Sequence, residues 1–296
     1  MYVEIKENIQ CIRKYYYTNG GKNMYKLIAL DMDGTLLTTD KKVSEKTEAA
    51  IKAAEAKGVK IVLASGRPLL GLEKYLKELD LLKGEDYVLS FNGGLVQNTK
   101  TGEIVSKVSL KGSDLKYIYK ISEELNINIH AFSAKGGLIA PKNSRYTEYE
   151  ATMNGINLNI KDFNEVDDDE DIIKVMMIDP QEILDPAIEK LPSEIYKMYS
   201  VFKSSPFFLE FTHKEVDKGL GLKKLGEYLG IKREEIIACG DAGNDLSMVK
   251  YAGLGVAMGN AIPEVKEVAE FITTSNDEDG IVKVIEKFIL NESVKK

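Results

Sequence analysis

Asp31 and Asp33 stand two residues apart in Asp31-Met32-Asp33-Gly34-Thr35, directly after the run Lys26-Leu27-Ile28-Ala29-Leu30. An apolar run of this length, bounded by charge and glycine, reads as a buried parallel strand. Carboxylates at the point where such a strand leaves its sheet face the crevice in which open α/β sheets bind ligands. Asp and Gly are also ordinary turn residues. A calcium loop opens Asp-x-Asp as well, but it needs Gly at its sixth position and Glu at its twelfth, where this chain has Leu36 and Lys42. The pair is therefore an ordinary turn or a catalytic pair of carboxylates.

Three further polar groups fall at expected strand ends or helix starts: Ser65 with Gly66 and Arg67, Lys218, and Asp241 with Asn244 and Asp245. Singly, each has a structural explanation. Ser65 can cap a helix, Lys218 can be solvated surface, and Asp245 can complement a helix dipole. In a doubly wound sheet all of them can converge on one crevice with Asp31 and Asp33. Several carboxylates with no His or Cys beside them suit a hard cation, and Mg²⁺ takes one or two carboxylates plus water and substrate phosphate. Ser65 and the amides of Gly66 and Arg67 could hold phosphate oxygens at a helix N-terminus.

The elements needed to position these residues are legible in order. Ser44 is expected to cap a helix running to Lys57, with Gly58 as its stop. Strand Val59–Ala64 follows, then a helix from Pro68 to about Leu79, a third strand Tyr87–Phe91, and a hairpin of Leu95–Gln97 with Glu103–Lys107 after Asn92-Gly93-Gly94. From about 109 to 209 the pattern changes to helix 113–125, strand Ile127–Phe132, helix 143–152, strand Ile172–Ile178, helix 180–190, and strands Tyr196–Phe202 and Phe207–Phe211. Two α/β repeats of this kind predict an inserted α+β module on one antiparallel sheet. The acidic run 162–171 within it reads as a solvated loop, with metal binding a distant second. βα alternation then resumes: a helix from Lys218 to Leu229, strand Glu235–Cys239, a helix after Asp245, strand Gly255–Ala257, a helix from Pro263, strand Phe271–Thr273, and a closing helix from Gly280 to Leu290. The expected architecture is α/β, a doubly wound parallel-sheet, Rossmann-like core (24–108 and 211–296) carrying an inserted cap domain (109–210). Residues 1–23 match no motif. Gly20-Gly21-Lys22 before Met24 can be encoded by a purine-rich ribosome-binding stretch, so Met24 is expected to be the natural start; N-terminal sequencing of native protein showing residues upstream of Met24 would refute this.

With 296 residues, 44% hydrophobic and 29% charged, the composition is globular. A net charge of −7 argues against nucleic-acid or anionic-membrane surfaces, which need clustered Lys and Arg. Cys11 and Cys239 supply no disulfide framework, Cys239 reading as a small core residue, and no apolar run reaches membrane-span length. A soluble cytoplasmic protein with no nucleic-acid or membrane partner is expected; no motif specifies an oligomeric state.

Asp31-Met32-Asp33-Gly34-Thr35-Leu36, Ser65-Gly66-Arg67, Lys218-Gly219 and Gly240-Asp241-Ala242-Gly243-Asn244-Asp245 together resemble the four motifs of the haloacid dehalogenase superfamily, with the spacing of its Cof-type phosphatases. The resemblance spans residues 25–290, and the long insertion between Ser65 and Lys218 implies the large α/β cap subclass. It implies a Mg²⁺-dependent phosphatase acting on small phosphorylated metabolites, sugar phosphates above all. Asp31 would be the nucleophile, forming an aspartyl-phosphate, and Asp33 the general acid and base. Asp31, the backbone carbonyl of Asp33 and Asp241 would hold the metal. Ser65, Gly66, Lys218 and Asn244 would bind phosphate, and Asp245 would support the metal site from behind. Thr35, Arg67, Asn92 and Asn260 are further residues that could line the site.

Other classes fit less well. A triad hydrolase needs a base, and His130 and His213, the two histidines, have no convincing Ser or Cys partner. Gly253-x-Gly255-x-x-x-Gly259 comes too late for a dinucleotide loop, and no P-loop is present. A phosphosugar mutase of the same fold, or a phosphometabolite-binding regulator that has lost catalysis, remains as an alternative. In the insertion, Lys142, Arg145, Tyr146 and Tyr149 are candidates for specificity and equally for cap-helix surface.

Overall fold

The apolar runs separated by glycine and polar turns assemble into two sheets. The structure is a computed structural model that describes residues 25–290; residues 1–23, Cys11 and the expected start at Met24 lie outside the described residues. In chain order the elements are β1 (Leu27–Asp31), α1 (Glu45–Ala56), β2 (Lys60–Ala64), α2 (Leu69–Glu78), β3 (Tyr87–Ser90), β4 (Leu95–Asn98), β5 (Ile104–Lys107), β6 (Leu110–Lys111), α3 (Gly112–Glu124), β7 (Asn128–Ser133), β8 (Gly137–Ala140), α4 (Arg145–Asn154) and β9 (Leu158–Ile160). They continue with β10 (Asp171–Ile178), α5 (Gln181–Ile188), α6 (Ile195–Met198), β11 (Ser200–Ser205), β12 (Phe208–Thr212), α7 (Lys218–Leu229), β13 (Ile236–Gly240), α8 (Leu246–Tyr251), β14 (Leu254–Ala257), α9 (Pro263–Val268), β15 (Phe271–Ile272) and α10 (Gly280–Ile285), which runs into a π-helical turn, Glu286–Leu290.

Two compact units result. One holds the described residues up to Ser65, Lys74–Ser106, and the described residues from Asp217 on; the other holds Gly66–Glu73 and Lys107–Val216. The first unit is built on an eight-stranded sheet of order β15-β14-β13-β1-β2-β3-β4-β5. From β15 through β3 the neighbours are parallel, and β4 then runs antiparallel to β3. Every residue of β1 is buried, as expected of a central strand flanked by β2 and β13 and covered on both faces. Leu27, Ala29, Val62, Ala64, Leu89, Ile236 and Ala238 of the strands pack with Leu222, Leu225 and Met248 of α7 and α8. Burying a Leu or Ile side chain of this kind contributes roughly 1.5–3 kcal/mol. Chain order reverses at β1, whose two neighbours are β2 on one side and β13 on the other. That is the topological switch point of an open α/β sheet, where ligands bind beyond the strands' carboxyl ends.

The helices begin and end where their chemistry directs. Ser44 caps α1, accepting from the Thr47 amide, and Gly58 follows at φ +81°. Asp217 caps α7 by accepting from the Leu220 amide at 2.8 Å, and Gly230 ends it in the left-handed conformation.

In the second unit the sheet order is β11-β12-β10-β7-β8-β9, with β6 added to β10. Residues of α3, α5 and one sheet face form its core, including Leu115, Ile118, Leu184, Ile129, Val175 and Phe211. Two sequence expectations change here. The sheet is mixed, because β8 and β9 run parallel with α4 crossing between them. The segment expected as one strand over Tyr196–Phe202 divides into α6 and β11. The acidic run is the largely exposed loop expected, with a short turn at Phe163–Glu165, and lysines pair with it: Asp171 with Lys107 and Lys111, and Asp168 with Lys116. No group of three metal-ligating side chains is found there among the described residues.

Candidate active site

The carboxyl ends of β1, β2 and β13 deliver Asp31, Ser65 and Asp241, because parallel pairing in register (Asp31 with Ala64, Leu30 with Cys239) brings those ends level. Lys218 comes from the first residue of α7. It is 1% exposed, and its Nζ donates to Asp31 Oδ1 at 2.5 Å and to Asp245 Oδ1 at 2.6 Å. Asp245 is completely buried. Its second oxygen accepts from the amides of Asp241 and Ala242, both at 3.0 Å. Both oxygens of Asp245 are thus used in orienting Lys218 and the backbone that carries Asp241. Thr35, also buried, donates from Oγ1 to Asp241 Oδ1 at 2.8 Å.

These contacts need close backbone approach. Gly34 lies at φ +89°, and a Cβ there would stand 2.4 Å from Asp241 Oδ2. Gly93, at φ +85°, lets its turn approach the start of α7, since a Cβ would stand 2.5 Å from the Asp217 carbonyl oxygen.

Three carboxylates and one ammonium share this space, so full ionisation leaves an excess of negative charge. The consequence appears at Asp31, which is 7% exposed: its carboxyl is pushed up to about 7, chiefly by burial, with Lys218 opposing and Asp245 and Asp241 adding. Asp241 is likewise raised, first by burial, with Thr35 opposing and Asp245 adding. Burial disfavours the charge on Lys218, but Asp31 and then Asp245 outweigh it and hold the ammonium above the usual lysine range. One oxygen each from Asp31, Asp241 and Asp245 lies within 4.8 Å of the others. Asp31 Oδ2 and Asp241 Oδ2 accept no hydrogen bond among the described residues. Two carboxylate oxygens without donors, at a site short of positive charge and lacking nitrogen or sulfur ligands, fit a hard divalent cation such as Mg²⁺. Asp245, with both oxygens occupied, serves better as their support.

The remaining sequence candidates take different places. Asp33 is exposed and ion-paired with Lys41, Nζ to Oδ1 2.8 Å. Ser65 is buried after β2; its amide donates to the Leu89 carbonyl and its carbonyl accepts from Asn92, each at 2.8 Å. Asn92, at φ +56°, accepts from Asn244 Nδ2 at 3.0 Å, so these two side chains meet. Asn260 Nδ2 donates to the Gly34 carbonyl at 2.8 Å, which makes it a strut behind the Asp33 loop. Gly66 and Arg67 form the half-buried bend before α2 and group with the second unit.

The histidine alternatives dissolve. His130 is fully buried on the face of the second sheet that α4 covers, between Thr147 and Met176, and burial pushes its imidazole down to about 3, with Lys174 adding. His213 is half-buried and accepts from the Glu215 amide. Tyr146 and Tyr149 pack with Phe207 and Phe208 in an aromatic cluster, Tyr146 stacked on Phe207 at 4.7 Å. Spacing gave no sign of Lys41, Asp217 or the turn around Asn276 and Asp277 that also reaches the Asp33 loop; only Asp217, one residue before a helix, carried a capping signal.

The chain is similar over most of its length to known proteins. YxeH of Bacillus subtilis (strain 168), which carries a phosphatase name, is 45% identical over 269 residues, covering 90% of this chain and 99% of its own. A haloacid dehalogenase-like hydrolase from Bacteroides thetaiotaomicron superposes with a TM-score of 0.79 at 34% identity, over 89% of this chain and 99% of its own. BT4131, described as a subclass IIB sugar phosphatase, superposes with a TM-score of 0.71 at 26% identity, over 89% of this chain and 98% of its own. The sequence profile that describes haloacid dehalogenase-like hydrolases matches residues 28–285, and the chain belongs to that family.

Proposed function

We propose that this phosphatase hydrolyses small phosphorylated metabolites, sugar phosphates in particular, through an aspartyl-phosphate on Asp31. The observation that carries the reading is the buried Lys218 ammonium joining Asp31 to Asp245, with the donor-free oxygen of Asp241 beside them. A phosphate dianion repels a carboxylate nucleophile, so attack requires cations at the site. Lys218 is one. Asp31, the Asp33 carbonyl and Asp241 would hold Mg²⁺, which would supply further positive charge to offset that of the phosphate.

An Asp31 oxygen attacks phosphorus in line with the leaving oxygen, forming the acyl-phosphate bond as the ester P–O bond breaks. Asp33 gives its proton to the departing alkoxide, and the alcohol leaves. Asp33 then takes a proton from water, whose oxygen attacks the phosphoryl group, releasing inorganic phosphate and restoring Asp31. Ser65, Gly66 and Asn244 hold phosphoryl oxygens, with Thr35, Arg67 and Asn92 lining the site. The likeness to a sugar phosphatase supports the substrate class. A cytoplasmic site of action goes with it: no helix among the described residues is long and apolar enough to cross a membrane, and Cys239 is a buried free thiol.

Phosphate release with Mg²⁺ across a panel of phosphorylated metabolites tests the reading. Asp31→Asn should lower kcat by about 10³-fold or more, the scale of losing a covalent nucleophile; full activity in that variant rejects it. Product analysis separates the alternatives, because a mutase returns an isomer of its substrate and a regulator releases nothing.

A further inference from the structure

The turn Ser275–Asp279, after β15, meets the loop that follows Asp33 at several successive points. Asn260 bridges first: Nδ2 donates to the Gly34 carbonyl at 2.8 Å, and Oδ1 accepts from the Asn276 amide at 3.1 Å. Asn276 Nδ2 donates to the Leu37 carbonyl at 2.9 Å. Asp277 takes Thr39 in a fork, accepting from its amide at 2.8 Å and from its hydroxyl at 2.6 Å. Asp279 accepts from Ser44 Oγ at 2.8 Å and from Lys46 Nζ at 2.9 Å, at the very start of α1. The turn has its own supports. Glu278 accepts from Ser275 Oγ at 2.8 Å, and Gly280 leaves no room for a side chain, a Cβ there standing 2.3 Å from the Thr274 carbonyl oxygen.

The two aspartates of the first motif are held by different means. Asp31 belongs to the paired register of β1 and to Lys218. Asp33 is exposed, beyond the strand, and its loop doubles back through the Leu37 amide on the Met32 carbonyl at 2.9 Å. Asn260, tied to the turn through the Asn276 amide, reaches Gly34, one residue after Asp33, and the turn itself contacts Leu37 and Thr39. A general acid must stay within hydrogen-bond reach of the leaving oxygen; Met32, Thr35, Leu36 and Leu37 are buried and anchor the loop, whereas the exposed Asp33 and Thr39 are held by polar contacts.

We propose that the Ser275–Asp279 turn clamps the Asp33 loop, and that Asn276 and Asp277 are positioning residues for proton transfer to the leaving group. The proposal rests on the reading of Asp33 as general acid.

Leaving-group dependence tests it. The value of kcat/KM covers steps through alcohol release only, so hydrolysis of the intermediate does not enter. p-Nitrophenyl phosphate releases a stable phenolate that needs no proton, whereas benzyl phosphate releases an alkoxide that does. In Asn276→Ala and Asp277→Ala, kcat/KM for benzyl phosphate should fall about 10-fold or more while that for p-nitrophenyl phosphate changes less than about 3-fold, a share of the 10²–10⁴-fold that general acid catalysis supplies. Thr39→Val, which deletes one exposed hydroxyl, should show the same selectivity in smaller measure should the other variants fold poorly. The Thr39→Val and Asp277→Ala losses should combine less than additively, since they break one contact. Equal losses on both substrates, or none on either, overturn the clamp. Asp33→Ala, run alongside, separates the two ideas: if it shows the selective loss and the turn variants do not, the clamp alone fails; if it does not, the acid assignment fails and the clamp with it.

Discussion

Gly34 and Asp241, far apart in sequence, meet so closely that a Cβ on Gly34 would stand 2.4 Å from Asp241 Oδ2. Gly34 also lies at φ +89°, which an L side chain rarely adopts. Gly34→Ala must therefore rotate Asp241 away or shift the loop between Asp33 and Thr35. Either change spoils one ligand of the proposed metal site while leaving Asp31 on its strand. The expected outcome is a Mg²⁺ requirement raised about 10-fold or more, the scale of disturbing a metal site's supporting groups. A Mg²⁺ titration of phosphate release measures it. A half-saturation point equal to that of the unaltered enzyme would count against Asp241 as a ligand.

Lys218 is enclosed by the two carboxylates it joins, with no exposed side-chain surface. In Lys218→Met the volume is nearly kept, but Asp31 and Asp245 lose their shared cation. Breaking a buried ion pair from one side costs roughly 3–5 kcal/mol, because the charge left behind has no partner. Urea unfolding should show a loss of that order together with loss of activity. Lys218→Met/Asp245→Leu should recover part of the stability and none of the activity, since the positive charge beside Asp31 stays absent. Undiminished turnover in either variant would remove Lys218 from the mechanism.

Much of this arrangement is readable from residue types because the first unit has buried parallel strands. Leu27–Leu30, Ile61–Ala64 and Ile236–Cys239 are continuous apolar runs, and polar residues immediately after them have few places to go except the crevice. Capping chemistry was equally local, as with Ser44 and with the helix opening at Lys218. The second unit is harder because its short elements lack a readable period. Tyr196 to Phe202 has the aromatic and β-branched composition of a strand, yet Ile195 is buried and the chain makes one helical turn before Ser200. β8 begins at a glycine, and β9 is three residues long with an exposed end. The partners of the Asp33 loop are hidden for another reason. Thr39 and Asp277 are 238 residues apart, and no spacing rule reports a contact that only the assembled fold creates.

Asp217 offers a milder test of how Lys218 is held. It caps α7 through the Leu220 amide, and it is the residue before Lys218. Asp217→Ala should cost about 0.5–2 kcal/mol, the usual loss at an N-cap. Frayed first-turn geometry should also loosen Lys218 and lower kcat several-fold. Asp217→Ser keeps a capping oxygen and should restore both. A stability loss with kcat unchanged would mean that the two carboxylates alone fix the ammonium.

His130 makes the second unit sensitive to acid. It is buried with Thr147, Met176, Phe132 and Phe208 around it, and Lys174, which pairs with Glu210 at 3.2 Å, faces the same region as Glu150. Burial, and after it Lys174, pushes the folded imidazole down to about 3 from an ordinary 6.5. Below pH 6.5 the unfolded chain takes up a proton that the folded chain refuses. Stability is therefore fully present above 6.5 and falls as pH drops from 6.5 toward 3, by about 1.4 kcal/mol per pH unit for this one group. Glu150 works in the opposite sense, since burial, first among its causes, raises its carboxyl and the folded chain binds its proton more readily. The difference between the unaltered chain and His130→Gln isolates the histidine. Urea midpoints measured between pH 7 and pH 4 should fall more steeply in the unaltered chain. Parallel curves would mean that the imidazole becomes charged in the folded state, with Thr147 or water reaching it.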